Sequence, residues 1–462
     1  MQISLFDGSQ RFKINKPIRL IELFAGIGSQ AKALKNLGVD FEHYRICEFD
    51  KYAVASYNAV HGTNFETSDI TKITAKDLGI VDTDKYCYIM TYSFPCQDLS
   101  NAGLGKGMAK GSGTRSGLLW EVERLLDECE NLPQVLLMEN VPQVIGQNNI
   151  QHFAKWIEKL EQLGYKNKWQ VLNAKDYGIP QNRERCFMVS ILGDYYYDFP
   201  KTIPLTLRLK DMLEKEVDEK YYLSEKTIKY FIKHTQESIE KGNGFRFEPT
   251  EGNVIAKCVL IKNGSRPCHN FIKENAYRFY EQAFETVEKN DCENGDTIDA
   301  FNKKVNKSGY SPTVTTRPDG FKTAILVYDG YNQSIRKDST TVGTLTRNCG
   351  ADLKRNGQGI TENCDVRLFQ YGHGYLPPGE INSDVFPTVR ESNTARYNNA
   401  ILQNGDVRVR KLTPKECWRL MGFEDKDIDN AIAIGMSNAQ LYKQAGNSIV
   451  VNVLMAIFKE ML

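Results

Sequence analysis

The chain reads as an α/β protein, a mostly parallel, doubly wound sheet accompanied by a second, irregular β-rich domain. Three observations predict this. From about residue 18 to 192, short apolar runs alternate with helical patterns, the mark of βαβ units. After Phe199-Pro200 and up to about Arg410, helical and strand signals are short and broken by Gly, Asn, Pro and Thr. From Lys411 the helical pattern returns.

Residues 19–24 form an apolar run of strand length. Residues 29–37 follow as a helix, with Ser29 near its start and Gly38 just past its end. Residues 44–48 are the next strand, and 86–92 and 135–138 read as buried strands. In 150–163, Phe153, Trp156, Ile157 and Leu160 fall at helical spacing, a core-facing stripe that Gly164 closes. Two further strands, 168–173 and 185–192, are split by Tyr177-Gly178-Ile179-Pro180. In the middle region, the β-prone runs 311–317, 343–347 and 386–390 each end in arginine, a degenerate repeat. Basic residues outnumber acidic ones between 302 and 355, so that stretch can present local positive charge. Leu412, Cys417, Leu420 and Met421 mark an amphipathic helix with Thr413-Pro414 in its cap and first-turn positions. Residues 449–462 form an apolar helix that calls for a sheet to pack on.

With 462 residues there is room for two or three domains. The net charge of +1 excludes a globally basic nucleic-acid binder, so any DNA-binding face must be local. The eleven cysteines form no C-x-x-C pair, which favours a reducing compartment and free thiols. Cys258, Cys268 and His269 lack the second pair a zinc site needs and read as structural. Residues 1–17 have neither a signal-peptide core nor a membrane span, so the expectation is a soluble, cytoplasmic protein with no membrane partner and no metal.

Two groups of residues carry chemistry. Ser93-Phe94-Pro95-Cys96-Gln97 follows one apolar run, and Met138-Glu139-Asn140-Val141 ends another. Parallel sheets bind ligands at the carboxyl ends of their strands, where this cysteine and carboxylate can converge on one substrate. A thiol nucleophile beside a proton-holding carboxyl suits addition to an electron-poor heteroaromatic ring. Cytosine is such a ring, attacked at C6 when N3 is protonated or hydrogen-bonded. The bland alternative is a buried, inert cysteine.

Phe24-Ala25-Gly26-Ile27-Gly28-Ser29 lies between the first strand and the first helix, where glycines allow a tight turn around a ligand. A dinucleotide is disfavoured because Ala31 stands where the third glycine of the fingerprint belongs. Glu48 ends the second strand and can accept both ribose hydroxyls. Asp69, in Ser68-Asp69-Ile70, is expected at the next strand end, facing an adenine amino group. These features indicate an adenosyl ligand, a methyl donor without phosphates.

Taken together, the segments resemble the DNA (cytosine-5)-methyltransferase family of bacterial or phage type. The resemblance rests on ordered motifs: Phe24 to Ser29, Phe94-Pro95-Cys96-Gln97, Glu139-Asn140-Val141 and Gln181-Asn182-Arg183-Glu184-Arg185. Near the C-terminus, Arg410-Lys411-Leu412-Thr413-Pro414-Lys415-Glu416-Cys417 and Gln444-Ala445-Gly446-Asn447-Ser448 complete the set. It covers about residues 18–200 and 408–460 and leaves the middle unmatched.

The resemblance implies an S-adenosylmethionine-dependent methyltransferase fold. It implies a catalytic domain in residues 1–200, a target-recognition domain in 201–424 and a segment 425–462 returning to the catalytic domain. Cys96 would add to C6, Glu139 would hold N3 of a flipped cytosine, Arg185 would contact O2 and Arg183 would support the cysteine. S-adenosylmethionine would contact Phe24, Ala25, Gly26, Gly28, Glu48, Asp69, Ile70, Asn447 and Ser448. Pro95, Gln97 and Ser100 would meet the substrate. The glycine-rich stretch 98–116 would close over DNA, with Lys106, Lys110 and Arg115 meeting phosphates. The expected partners are double-stranded DNA and a functionally paired restriction endonuclease, with the enzyme acting as a monomer. Competing readings are a tRNA cytosine methyltransferase, against which the large insert between Arg185 and Lys411 argues, and a catalytically silent DNA-binding protein.

Overall fold

Six strands make the central sheet: Ile18–Leu23 (β1), Phe41–Cys47 (β2), Cys87–Tyr92 (β3), Val135–Asn140 (β4), Tyr165–Asn173 (β5) and Glu184–Leu192 (β6). The structure, a computed structural model, describes residues 10–95, 99, 108, 110, 115–242, 246–275, 297–299, 304–306, 324–325, 328–329, 334–335 and 407–462. The chain divides into two units, the first made of Met1–Lys215, Gly252–Asn270 and Leu412–Leu462, the second of Glu216–Glu251 and Phe271–Lys411.

Strand order in the first unit is β2-β1-β3-β4-β6-β5. The pairs β1–β2, β1–β3 and β3–β4 are parallel, while β6 is antiparallel to both β4 and β5. The sheet is therefore mixed, with its parallel strands on one side. Every residue of β3 and β4 is buried, as expected of strands covered on both faces. β4 runs two residues beyond the apolar stretch 135–138, so Glu139 and Asn140 belong to the strand itself.

Five helices accompany these strands in chain order: Ser29–Asn36 (α1), Lys51–His61 (α2), Ala75–Leu78 (α3), Leu119–Glu128 (α4) and Ile150–Gln162 (α5). The α5 stripe buries Phe153, Trp156 and Leu160 in one core with Tyr92, Met138 and Met188. Each such side chain contributes about 1.5–3 kcal/mol by burial. Trp156 Nε1 satisfies its polar end by donating to the Tyr92 hydroxyl at 3.1 Å.

In the second unit, Glu225–Glu240 (α6) is a sixteen-residue helix in a stretch where the sequence suggested only short elements. Ser224 caps it by accepting from the Thr227 N–H. Ile228, Phe231 and Ile232 form its apolar face, packed with Phe247, Phe271 and Val409. Phe271–Asn275 (β7) pairs antiparallel with Val407–Lys411 (β8), and Arg410 of β8, fully buried, donates to Glu274 of β7 at 2.6 Å.

The chain ends in the first unit with Pro414–Arg419 (α7), Asp425–Ala433 (α8), Asn438–Asn447 (α9) and Val451–Lys459 (α10). Thr413 caps α7 and Glu416 reaches back to the Thr413 N–H at 2.9 Å, with proline in the first turn. Buried Lys32 of α1 pairs with buried Asp427 of α8 at 2.8 Å. The apolar α10 lies against α1 and the turn Ala174–Tyr177.

Glu22 ties β1 to the helices. It is fully buried, accepting from the Ala31 N–H at 3.3 Å and from the Tyr57 hydroxyl at 2.6 Å. Burial raises its pKa from 4.5 to about 7, against the pull of those hydrogen bonds. The folded form therefore keeps a proton that the unfolded chain releases near 4.5, and stability falls as pH rises from there to about 7. The loss totals about 3 kcal/mol at 1.36 kcal/mol per pKa unit. Glu22→Gln should flatten that slope in urea denaturation between about pH 5 and about pH 8. An unchanged slope would assign it to another group. Gly446 makes a separate demand: a Cβ there would lie 2.4 Å from Ile261 N and 2.6 Å from Leu260 C, backbone atoms with no rotamer to adopt. Gly446→Ala should lower stability by about 1–3 kcal/mol in the same assay, and an unmoved midpoint would mean that the 260–261 segment yields freely.

Candidate active site

Leu23, Cys47, Tyr92 and Met138 stand in one row across the parallel strands, so the loops after β1, β2, β3 and β4 open at one edge. β1 is followed by β2 on one side and flanked by β3 on the other, the switch point where such sheets take ligands. Because β6 is antiparallel, it starts at this same edge and delivers Arg183 and Arg185 to the carboxyl end of β4.

The loop after β1 is tightly specified. Phe24 has φ 58°, in the left-handed region uncommon for a bulky residue, and Gly26 and Gly28 have φ 56° and 78°. The Phe24 and Ala25 amides both donate to the Cys47 carbonyl, at 2.7 and 3.3 Å. A Cβ on Gly28 would meet His61 Nε2 at 2.3 Å.

Glu48 faces this loop. One oxygen accepts from the Gly26 N–H at 3.0 Å and the other from the Asp50 N–H at 2.8 Å. Burial pushes its pKa up against those amides. Each carboxylate oxygen keeps acceptor capacity for another donor, the arrangement needed to hold two vicinal hydroxyls. Next to it, Phe49 is 80% exposed, a residue the sequence reading passed over because a loop aromatic carries no periodic signal.

Asp69 differs from expectation. It ends no strand; it lies in a loop after α2 and accepts from the Thr71 N–H at 3.0 Å and the Thr71 hydroxyl at 2.8 Å, which together hold its pKa down. The cause is local: a short acidic side chain that can close its own turn competes with strand pairing. Ile70 is buried. The loop still reaches the site edge, because the Ser68 N–H donates to the Glu48 carbonyl at 2.9 Å.

The segment after α9 reaches the same region. Gln444 is buried and donates to the Tyr52 carbonyl and the Ser56 hydroxyl, at 3.0 and 2.9 Å. Ser448 is buried with its hydroxyl donating to the Gln444 carbonyl at 2.7 Å, whereas Asn447 is exposed.

At the end of β4, Glu139 is 8% exposed and pairs with Arg185 Nε at 3.1 Å. Burial raises its pKa, and Arg185 and then Arg183 pull it back. The neighbouring Asn140 is a clamp the sequence reading quoted but gave no role. Its Nδ2 donates to the Phe94 carbonyl at 2.9 Å and its Oδ1 accepts from the Val141 N–H at 2.8 Å. Ser116 adds a hydrogen bond to the Pro95 carbonyl at 2.7 Å. Cys96, Gln97 and Ser100 lie outside the described residues, as do Lys106 and the three arginine-ended runs. The backbone leading into Cys96 is thus held by the strand that carries Glu139. Lys110, expected at phosphates, pairs with Glu123 at 2.5 Å.

Arg183, 4% exposed, donates to the carbonyls of Val259, Gly446 and Ser448 at 3.1, 3.0 and 2.8 Å and to Cys258 Sγ at 3.4 Å. It binds the last motif to the strand edge. The arrangement supplies a buried carboxyl able to hold a proton, a guanidinium beside it, and a tight loop with a carboxylate for a hydroxyl-bearing ligand. No helix among the described residues is long and apolar enough to cross a membrane.

Known proteins resemble the chain over nearly its whole length. The chain is 30% identical to the orphan methyltransferase M.SPRI of Bacillus phage SPR, across 96% of this chain and 97% of that one. It is 28% identical to the type II methyltransferase M2.ScrFI of Lactococcus lactis subsp. cremoris, across 96% and 99%. Among solved structures, S. pombe Dnmt2 methyltransferase aligns with a TM-score of 0.52 at 17% identity, covering 96% of this chain and 98% of that one. A Spodoptera frugiperda DNMT2 mutant aligns at 0.53 and 16%, covering 96% and 99%. At such identities the structures bear on the fold alone, that of an α/β methyltransferase. With the family model for C-5 cytosine-specific DNA methylase matching residues 18–462, the chain belongs to that family and is a DNA (cytosine-5)-methyltransferase.

Proposed function

We propose that the protein binds S-adenosylmethionine at the β1–β2 edge and methylates C5 of a cytosine swung out of duplex DNA, with Cys96 as nucleophile and Glu139 on N3. One observation carries the reading. Glu139 and Asn140 are consecutive at the end of β4, and Asn140 grips the Phe94 carbonyl, two residues before Cys96. One strand end thereby carries the acid and holds the backbone two residues before the proposed nucleophile. The target atom is inaccessible inside a duplex, so the base must leave the stack.

The residues divide the work as follows. The Cys96 sulfur forms a bond to C6, and the ring's electrons move towards N3 and C5. Glu139 meets the growing charge at N3 with its proton, which burial helps it keep. Arg185 supports Glu139 and adds positive charge opposite O2. S-adenosylmethionine, when bound, supplies an electrophilic methyl for C5. A base then takes the C5 proton and the C6–S bond breaks, returning the thiolate.

For the cofactor, Glu48 would accept from the ribose hydroxyls and exposed Phe49 would cover the adenine face. Phe24, Ala25, Gly26 and Gly28 would line the methionine side, with Asn447 and Ser448. Asp69 and Ile70 would edge the adenine. The fit is supported by the acceptor capacity left on Glu48. Target recognition is assigned to the second unit, supported by the basic stretch 302–355. The type II relative supports a functional pairing with a restriction endonuclease.

Two experiments test this. Wild-type protein with cofactor should form a denaturation-resistant adduct with duplex DNA containing 5-fluorocytosine, since fluorine at C5 blocks the final elimination. Cys96→Ser should form none while still binding cofactor by calorimetry; absence of the wild-type adduct would remove Cys96 from the mechanism. Glu139→Gln should lower kcat about 100-fold or more with DNA affinity little changed, the range for loss of a general acid. In the wild type, activity should fall as pH rises through the raised Glu139 pKa, and that alkaline limb should vanish in the variant. Unchanged turnover in Glu139→Gln would exclude the role at N3.

A further inference from the structure

Ala256–Lys257 pairs in parallel with Gln181–Asn182, which carries the next residue, Cys258, against Arg183. The charged groups around its sulfur are Arg183 and Arg185, with Glu139 behind Arg185. Their charges do not balance. Two guanidiniums, one of them almost wholly buried, face one carboxyl. Among the described residues no carboxylate forms an ion pair with Arg183; its acceptors are three carbonyls and the Cys258 sulfur, and its Nε has no partner. A buried cation left without a counter-charge is strongly destabilising. The imbalance worsens in turnover, when Glu139 carries a proton and its charge disappears.

We propose that Cys258 works as a thiolate, the second anion of the Arg183–Arg185 pair, and that its charge helps keep the proton on Glu139. Burial alone holds a thiol in its neutral form, but here the two guanidiniums outweigh it and the net shift of the Cys258 pKa is downward. A negative sulfur shares Arg185 with Glu139 and repels the carboxylate form, so the carboxyl keeps its proton to higher pH. Cys258 is a positioning residue in this scheme, acting on Glu139 through Arg185 without touching the base. The inference rests on the reading of Glu139 given above.

The thiolate is tested on the wild-type protein without DNA. Alkylation by iodoacetamide, followed at Cys258 by peptide mass spectrometry across pH, should show a midpoint below about 8.5, the value of a free cysteine. A midpoint at or above it overturns the proposal. The coupling is tested by pH–rate profiles. Cys258→Ser, which keeps an acceptor for Arg183 but no charge, should move the alkaline limb down by about one unit. Cys258→Asp should restore it. A Cys258→Ser profile superimposable on wild type would make the cysteine merely structural, whatever Glu139→Gln shows. Unchanged turnover in Glu139→Gln would instead sink the reading of the carboxyl, and the alkylation midpoint would still decide the charge on the sulfur.

Discussion

A guanidinium taken out of water must find acceptors, and those Arg183 finds come from two stretches far along the chain. Val259 lies on the segment that returns to the first unit, and Gly446 and Ser448 close α9. Losing them would leave a buried charge at a cost of several kcal/mol, so the three stretches hold together as one piece. Gly446 explains how they come so close. The 260–261 backbone occupies the space a side chain would need, and only glycine lets the carbonyl of 446 face Arg183. The segment carrying Val259, the strand edge and the last motif therefore share a single anchor.

Strand direction supplies the second constraint. In a wholly parallel sheet, residues 183–185 would start their strand at the opposite edge from Glu139. Running β6 antiparallel to β4 places Phe187 opposite Glu139 and brings Arg185 within 3.1 Å of its carboxyl. Glu139 then sits between opposing influences, burial favouring the proton and Arg185 favouring its release. A group poised in this way can hold a proton at N3 and yet respond to charge developing on the ring.

Much of this was legible in the sequence wherever the signal is local. The unbroken apolar runs of β3 and β4, the spacing of Phe153, Trp156 and Leu160, and the Thr413-Pro414 cap all correspond to the elements found. Non-local features were not legible. The apolar face of α6 is covered by Phe247, Phe271 and Val409, so its few hydrophobic positions looked too sparse for a long helix. Asp69 is a local exception: the turn it closes with Thr71, two residues on, competes with a strand end. Cys258 read as structural, since its partner, Arg183, lies seventy-five residues away.

Charge also bears on the sulfonium ligand proposed for this loop. Asp50 is paired with Lys443 at 2.7 Å, and His61 beneath the loop is held neutral, its pKa lowered by burial to about 3. Glu48 is different: its hydrogen bonds come from backbone amides, and among the described residues no cation pairs with it. A carboxylate left without a paired cation favours a positively charged ligand over an anionic one. A ligand carrying hydroxyls and a positive sulfur meets an acceptor and a favourable field at once. Under the proposed function, a positive ligand should favour the ionised form of Glu48, whose pKa is raised by burial and then by Asp50.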